Sequence, residues 1–266
     1  MSFFEEIFIF NNGGSSKISQ EAPEPFGTKT IGIGGQSNAV IREDANANQL
    51  HTPDLLYSGK LDGATYWNNT GFEPFTIEMN SNNVDHVGDY GIEHRLFRNL
   101  IYENNLESAR LFKFGWGGAS MSDRESSVAS FNINSVDDAY DKFFTEIANS
   151  GITHFDRLIW IIGETDAQYI DNANDFETDM NDFMNSFPTK GITVDKFILV
   201  QLYLFPVLDT PENAAGFSAV KNAIINLGNR SDVDVVDPDP IMSLRDGIHY
   251  SSLGASRLAD ILTPFM

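Results

Sequence analysis

The chain contains no cysteine, which removes disulfides, thiolate metal sites and a cysteine nucleophile from consideration. Basic residues are scarce: 17 Lys and Arg stand against 38 Asp and Glu, a formal net charge of −21. Neutralising phosphate takes clustered Lys and Arg, so no nucleic-acid partner is expected, and an anionic membrane surface would repel this protein. No stretch reaches transmembrane length. The apolar first ten residues are interrupted by Glu5 and Glu6 and lack a basic flank, so they do not read as a signal peptide. A cytoplasmic or virion-associated chain is the expectation. The acidity itself reads as a solvated surface kept soluble by self-repulsion.

With 266 residues, 41% of them hydrophobic and 12% aromatic, the chain can bury a large core. Residues 1–28 read as an N-terminal arm and linker: Phe3, Phe4, Ile7, Phe8, Ile9 and Phe10 are followed by Gly-, Ser- and Pro-rich sequence. Such an arm suits a homo-oligomer or attachment to a larger assembly. From residue 29 onward, strand-like runs alternate with helical patterns. The strands are expected at Lys29–Ile33, Ser108–Phe114, Arg157–Ile162, Lys196–Tyr203 and Asp232–Val236. Several are near-continuous apolar runs, as parallel strands covered on both faces require. Helical stripes run through Ile92, Leu96 and Leu100, through Ala139, Phe143, Phe144 and Ile147, and through Phe176, Met180, Phe183 and Phe187. A last helix runs from about Ser252 to Leu262 and is stopped by Pro264. The alternation predicts an α/β protein, a three-layer α/β/α sandwich on a mainly parallel five-stranded sheet. Residues 43–87, rich in Asn, Asp, Gly and Tyr, break the rhythm and read as a loop and hairpin insertion, with β-like segments at Leu55–Leu61 and Phe72–Glu78 flanking Asn68–Gly71.

Two short segments carry chemistry. Gly34-Gly35-Gln36-Ser37-Asn38 places a serine where the first strand gives way to a turn, and Asp246-Gly247-Ile248-His249 places an acid three residues before an imidazole. A serine hydroxyl becomes a useful nucleophile only with a base in reach and a third group orienting that base. Ser37, His249 and Asp246 supply those roles. In open parallel sheets ligands bind beyond the carboxyl ends of the strands, where Ser37, Gly118 and Thr165 are each expected. His51, His86, His94 and His154 show no metal-ligand spacing, and neither a metal nor another cofactor is expected.

Gly-Gln-Ser-Asn followed far downstream by Asp-x-x-His resembles the SGNH (GDSL-type) hydrolases, in particular their sialate O-acetylesterase-like and acetylxylan-esterase-like branch of carbohydrate esterases. Phe114-Gly115-Trp116-Gly117-Gly118-Ala119-Ser120 is similar to the second block of that superfamily, and Trp160-Ile161-Ile162-Gly163-Glu164-Thr165-Asp166 to its third. Gly88–Glu93 is similar to the entry to the branch's first long helix. The resemblance implies a flavodoxin-like SGNH fold over residues 29–266 and a serine esterase removing O-acetyl groups from a glycan through an acetyl-enzyme. It also implies an oxyanion hole from Ser37, Gly118 and one further donor. The wider superfamily has an Asn where this chain has Thr165, so that donor is the Thr165 hydroxyl, a water or a rearranged N–H; Ile162 stands where the branch has Gln. Gln36, Asn38, Trp67, Trp116 and Glu164 are the candidate substrate-binding residues, though Glu164 and Asp166 also suit a structural role in their turn. The alternative function is a carbohydrate-binding or attachment component, such as a phage-tail subunit, that uses a hydrolase-like body for adhesion.

Overall fold

The structure, a computed structural model, describes residues 26–40, 43–44, 62–75, 89–104, 106–124, 128–136, 138–203, 211–239, 243–244 and 246–266. Residues 1–25 of the expected 1–28 arm, most of the 43–87 insertion and the 88 position of the helix-entry block lie outside the described residues, while residues 26–28 belong to the first strand.

Strand β1 (Phe26–Gly35) leads directly into helix α1 (Ser37–Val40). A two-residue strand β2 (Glu43–Asp44), the hairpin strands β3 (Ala64–Trp67) and β4 (Phe72–Pro74), and a second two-residue strand β5 (Asp89–Tyr90) follow. Helix α2 (Ile92–Arg98) continues into a π-helical turn, Asn99–Glu103, before β6 (Leu106–Gly115). The rest alternates: α3 (Ala139–Ser150), β7 (His154–Ile161), α4 (Ile170–Ser186), β8 (Thr193–Val200), α5 (Pro211–Leu227), β9 (Val233–Val236) and α6 (Ser252–Leu262).

The main sheet has seven strands in the order β4-β3-β6-β1-β7-β8-β9, all parallel except β4. The five strands expected from the sequence are the contiguous run β6-β1-β7-β8-β9, and in their own sequence order they stand 2-1-3-4-5. The count of five is corrected to seven because the hairpin around Asn68–Gly71 does not stand apart. Its strand β3 pairs parallel with β6 from Ala64↔Ala109 to Tyr66↔Leu111, covering an edge whose backbone groups would otherwise be open. The turn is held by Asn68, whose Oδ1 accepts from the Thr70 and Gly71 N–H groups at 2.9 Å each. Helix α5 was not anticipated. Its buried stripe Phe217, Val220, Ala223, Ile224 and Leu227 packs it beside α4.

Strand alternation sorts the core. On β6, Phe112 and Phe114 face one side and Lys113 the other. The first two join Phe131, Phe143, Trp160, Phe183 and Phe187, buried rings of which Trp160 and Phe183 lie 4.6 Å apart and Phe131 and Trp160 5.0 Å apart. This layer ties α3 and α4 to the sheet. Across the sheet α2 packs on α6, and the Lys113 ammonium meets the carboxylate of Glu93 on α2 at 2.7 Å, both fully buried. The glycines of β1 answer the aromatic layer: a Cβ on Gly34 would fall 2.1 Å from the Trp160 ring. The helix ends are set by local chemistry. Asp138 caps α3 by accepting from the Ala139 N–H, and Ser251 caps α6 by accepting from Gly254, one residue before the expected Ser252.

The parallel registers level the strand ends. Gly35 lies opposite both Gly115 and Ile161, so the segments leaving β1, β6 and β7 depart from one edge of the sheet.

Candidate active site

Ser37 opens α1 two residues past Gly35, whose φ of +131° is barred to side-chain-bearing residues and whose added Cβ would lie 1.9 Å from the Ile161 carbonyl. The strand therefore turns sharply at this point and lifts Ser37, partly buried, over the sheet edge. Gln36 extends the pairing by donating its N–H to Ile161 at 2.9 Å, and its Oε1 accepts from the Thr165 N–H at 3.4 Å. From β6, Trp116 donates its N–H to the Gly35 carbonyl at 3.0 Å and leads to Gly118, which takes the left-handed φ of +73°. The Trp116 ring lies under the Lys142 ammonium, 4.3 Å from its centroid.

The Gly163–Asp166 turn after β7 touches both of these segments. Asp166 is fully buried, and its carboxylate accepts from the Met121 and Ser122 N–H groups at 3.0 Å, which anchors the segment following Gly118. Burial pushes its pKa up to about 7 against the pull of those two N–H groups. Glu164, also buried, accepts from Asn38 Nδ2 at 2.8 Å; burial raises its pKa and the Asn38 bond opposes the rise.

In the segment before α6, the Asp246 carboxylate accepts from the Ile248 N–H at 3.1 Å and the His249 N–H at 2.8 Å and lies 2.8 Å from the His249 ring Nδ1. Burial alone would raise the Asp246 pKa, but these bonds and the neighbouring imidazole outweigh it and hold the carboxyl below the usual range. A carboxylate at Nδ1 makes that nitrogen the proton-bearing one, so Nε2 keeps its lone pair for use as a base. Asn38, the residue after Ser37, joins this segment to the turn after β1. Its amide bonds the Ile248 carbonyl at 3.3 Å and the Tyr250 N–H at 3.1 Å, on either side of His249.

Of the other residues singled out from the sequence, Gln36, Asn38, Trp116 and Glu164 all lie on segments of this edge. Trp67 is placed elsewhere: buried in β3, it packs on Phe72 at 5.6 Å and donates its indole N–H to Glu146 at 3.3 Å. His154, which has no ligand spacing along the chain, comes within 4.8 Å of Asp156 and Asp195 at the opposite, N-terminal ends of β7 and β8. These three could hold a metal ion, but they lie away from Ser37. The sequence did not reveal Asp166 as an anchor for the loop after Gly118, because its partners lie 45 residues away.

A family model described as carbohydrate esterase, sialic acid-specific acetylesterase, matches residues 31–266. The chain belongs to this carbohydrate esterase family. Similar folds are known among solved structures. A protein from Arabidopsis thaliana shares 15% identity over 91% of this chain and 97% of its own, with a TM-score of 0.67. NanS shares 13% over 91% and 97%, with a TM-score of 0.60. A carbohydrate acetylesterase from Xanthomonas citri shares 12% over 89% of this chain and 57% of its own, also at 0.60. No curated protein matches the chain in sequence. Family membership makes the protein a carboxylic ester hydrolase of the carbohydrate acetylesterase type, acting on O-acetylated sugar. None of its described helices is long and apolar enough to cross a membrane.

Proposed function

We propose that this carbohydrate esterase works through Ser37 as nucleophile, His249 as base and Asp246 as the group orienting His249, by way of an acetyl-enzyme. The observation that carries the reading is the Asn38 bridge. The residue bonded to Ser37 grips the chain on both sides of His249, while Asp246 holds that imidazole through Nδ1 and so leaves Nε2 as the unprotonated nitrogen.

As Ser37 Oγ attacks the acetyl carbonyl, its proton passes to His249 Nε2. The resulting oxyanion is held by the N–H groups of Ser37 and Gly118 and by Thr165, whose own N–H is turned to Gln36, which leaves the hydroxyl as the donor. Collapse breaks the bond to the sugar oxygen, which takes the proton from His249 and leaves as the free hydroxyl. Water then gives a proton to His249 and attacks the acetyl-serine; acetate departs and Ser37 recovers its proton. Asp246, already ionised, steadies the imidazolium in both halves.

The family description makes O-acetylated sialic acid the first substrate to test, beside acetylated xylan and a small aryl acetate. Acetate release is expected from at least one, with Ser37→Ala lowering kcat by about 10⁴-fold or more at unchanged melting temperature. A Ser37→Ala enzyme within tenfold of wild type would refute the assignment.

A further inference from the structure

We propose that Asn38 and Glu164 act together as positioning residues that register the His249 segment against Ser37, an inference that rests on the reading of Ser37, Asp246 and His249 just given. A side-chain amide has two N–H groups and one carbonyl, and all three are used in Asn38. One N–H goes to Glu164 Oε1 at 2.8 Å, the other to the Ile248 carbonyl at 3.3 Å, and the oxygen accepts from Tyr250 at 3.1 Å. The partners fix which end is nitrogen: a carboxylate and a carbonyl can only accept, and a backbone N–H can only donate. The amide thus stands in for a neighbouring strand, offering a donor and an acceptor to the two peptide groups that flank His249.

That segment needs such a hold. His249 and Asp246 belong to no helix or strand, and their side chains are 24% and 44% exposed. Among the described residues, a bridge between Leu244 and Tyr250 and the Ser251 N–H and Oγ bonds to Ser243 tie this segment to a neighbouring loop. Asn38 supplies a tie to the end of β1, and Glu164 holds Asn38 in turn. Glu164 follows β7 directly and is 3% exposed. Its Oε2 is buried with no hydrogen-bond partner among the described residues. A carboxyl kept buried and half satisfied is costly to the fold, and its one bonded oxygen is spent on the Asn38 amide.

The test compares Asn38→Leu, Glu164→Leu, Glu164→Gln, Asn38→Asp and the double leucine variant with wild type and Ser37→Ala. Readouts are kcat and KM on an aryl acetate, the rate of Ser37 labelling by a fluorophosphonate located by mass spectrometry, and the melting temperature. Each leucine variant is expected to lose about 30- to 100-fold in kcat with KM within about threefold, because a small misplacement of a reacting group carries penalties of that order. Labelling of Ser37 should slow in parallel. The double variant should be no worse than the poorer single one by more than about threefold, as residues acting as a unit require. Glu164→Gln keeps an acceptor for the amide and should recover at least about fivefold over Glu164→Leu. If Ser37→Ala is inactive but both leucine variants keep kcat within threefold, or lose only in KM, or combine multiplicatively, the positioning role is overturned. An active Ser37→Ala enzyme, or label on another residue, overturns the triad reading instead. Should the leucine variants fail to fold, the isosteric pair decides. Asn38→Asp sets an oxygen against Glu164 and is expected to lose at least about tenfold in kcat, and full kcat there refutes the proposal.

Discussion

Asp166→Asn should flatten the pH dependence of stability, and the size of the change follows from where Asp166 sits. The carboxyl is fully buried, and burial lifts its pKa from 3.8 to about 7 despite the Met121 and Ser122 N–H bonds. The folded value lies above the unfolded one, so folding favours the protonated form. Stability is then complete below about pH 4 and is lost as pH rises through about 7. At about 1.4 kcal/mol per pH unit, the group accounts for roughly 4 kcal/mol between those limits. Asparagine keeps the accepting oxygen for the loop after Gly118 and removes the titration. Glu164 and Asp179 are shifted upward too, chiefly by burial, so the variant retains part of the slope. The assay is urea unfolding by tryptophan fluorescence from pH 4.5 to 8.5, and the quantity is the wild-type curve minus the variant curve. A fall of about 3–4 kcal/mol in that difference is expected. Parallel curves would mean that the two N–H bonds outweigh burial and that Asp166 is ionised throughout.

Gly34→Ala should destabilise by more than about 3 kcal/mol, the upper end for an inserted methyl group, because the new Cβ would lie 2.1 Å from a Trp160 ring locked among buried phenyl rings. Chemical denaturation measures it, and a loss under 1 kcal/mol would show that the aromatic layer yields. Thr165→Val should lower kcat about a hundredfold with little change in KM if its hydroxyl holds the oxyanion. An unchanged kcat would assign the third donor elsewhere.

Several of the five expected strands were legible as apolar runs too continuous for a one-faced sheet, and Gly34–Asn38 and Asp246–His249 stood out because each is a compact motif. A hairpin around Asn68–Gly71 was expected, but its first strand is Ala64–Trp67, the expected Leu55–Leu61 lies outside the described residues, and its joining of the sheet was not foreseen, since pairing with the β6 edge is a long-range event. Helix α5 carries a readable stripe, Phe217, Val220, Ile224 and Leu227, that small neighbours such as Ala214, Ala215, Gly216 and Ala219 dilute. That smallness has a purpose: a Cβ on Gly216 would fall 2.2 Å from the Ala167 carbonyl. The bonds that assemble the site join residues far apart: Asn38 reaches Glu164 across 126 positions and Tyr250 across 212. No local pattern encodes such pairs. What the sequence offers is only that Asn38, Glu164 and Asp166 are polar residues beside glycine-marked strand ends.

Their joint arrangement explains why two carboxyls are buried within three residues, an unfavourable choice for a turn. Past Gly163, successive groups reach two segments directly and a third through Asn38. Glu164 goes to Asn38 and so to the His249 segment, the Thr165 N–H to Gln36 beside Ser37, and Asp166 to the loop after Gly118. The Gln36–Asn38 segment leaves β1, the loop after Gly118 leaves β6, and the His249 segment follows β9. An apolar residue at 166 would leave the Met121 and Ser122 N–H groups buried without acceptors, at about 1–3 kcal/mol each. Against that, the penalty of burying the acid is bounded by its ability to take up a proton near pH 7. The turn after β7 thus acts as a polar bracket: it gives up some stability at high pH and holds the Ser37 turn, the His249 segment and the loop after Gly118 to one edge of the sheet.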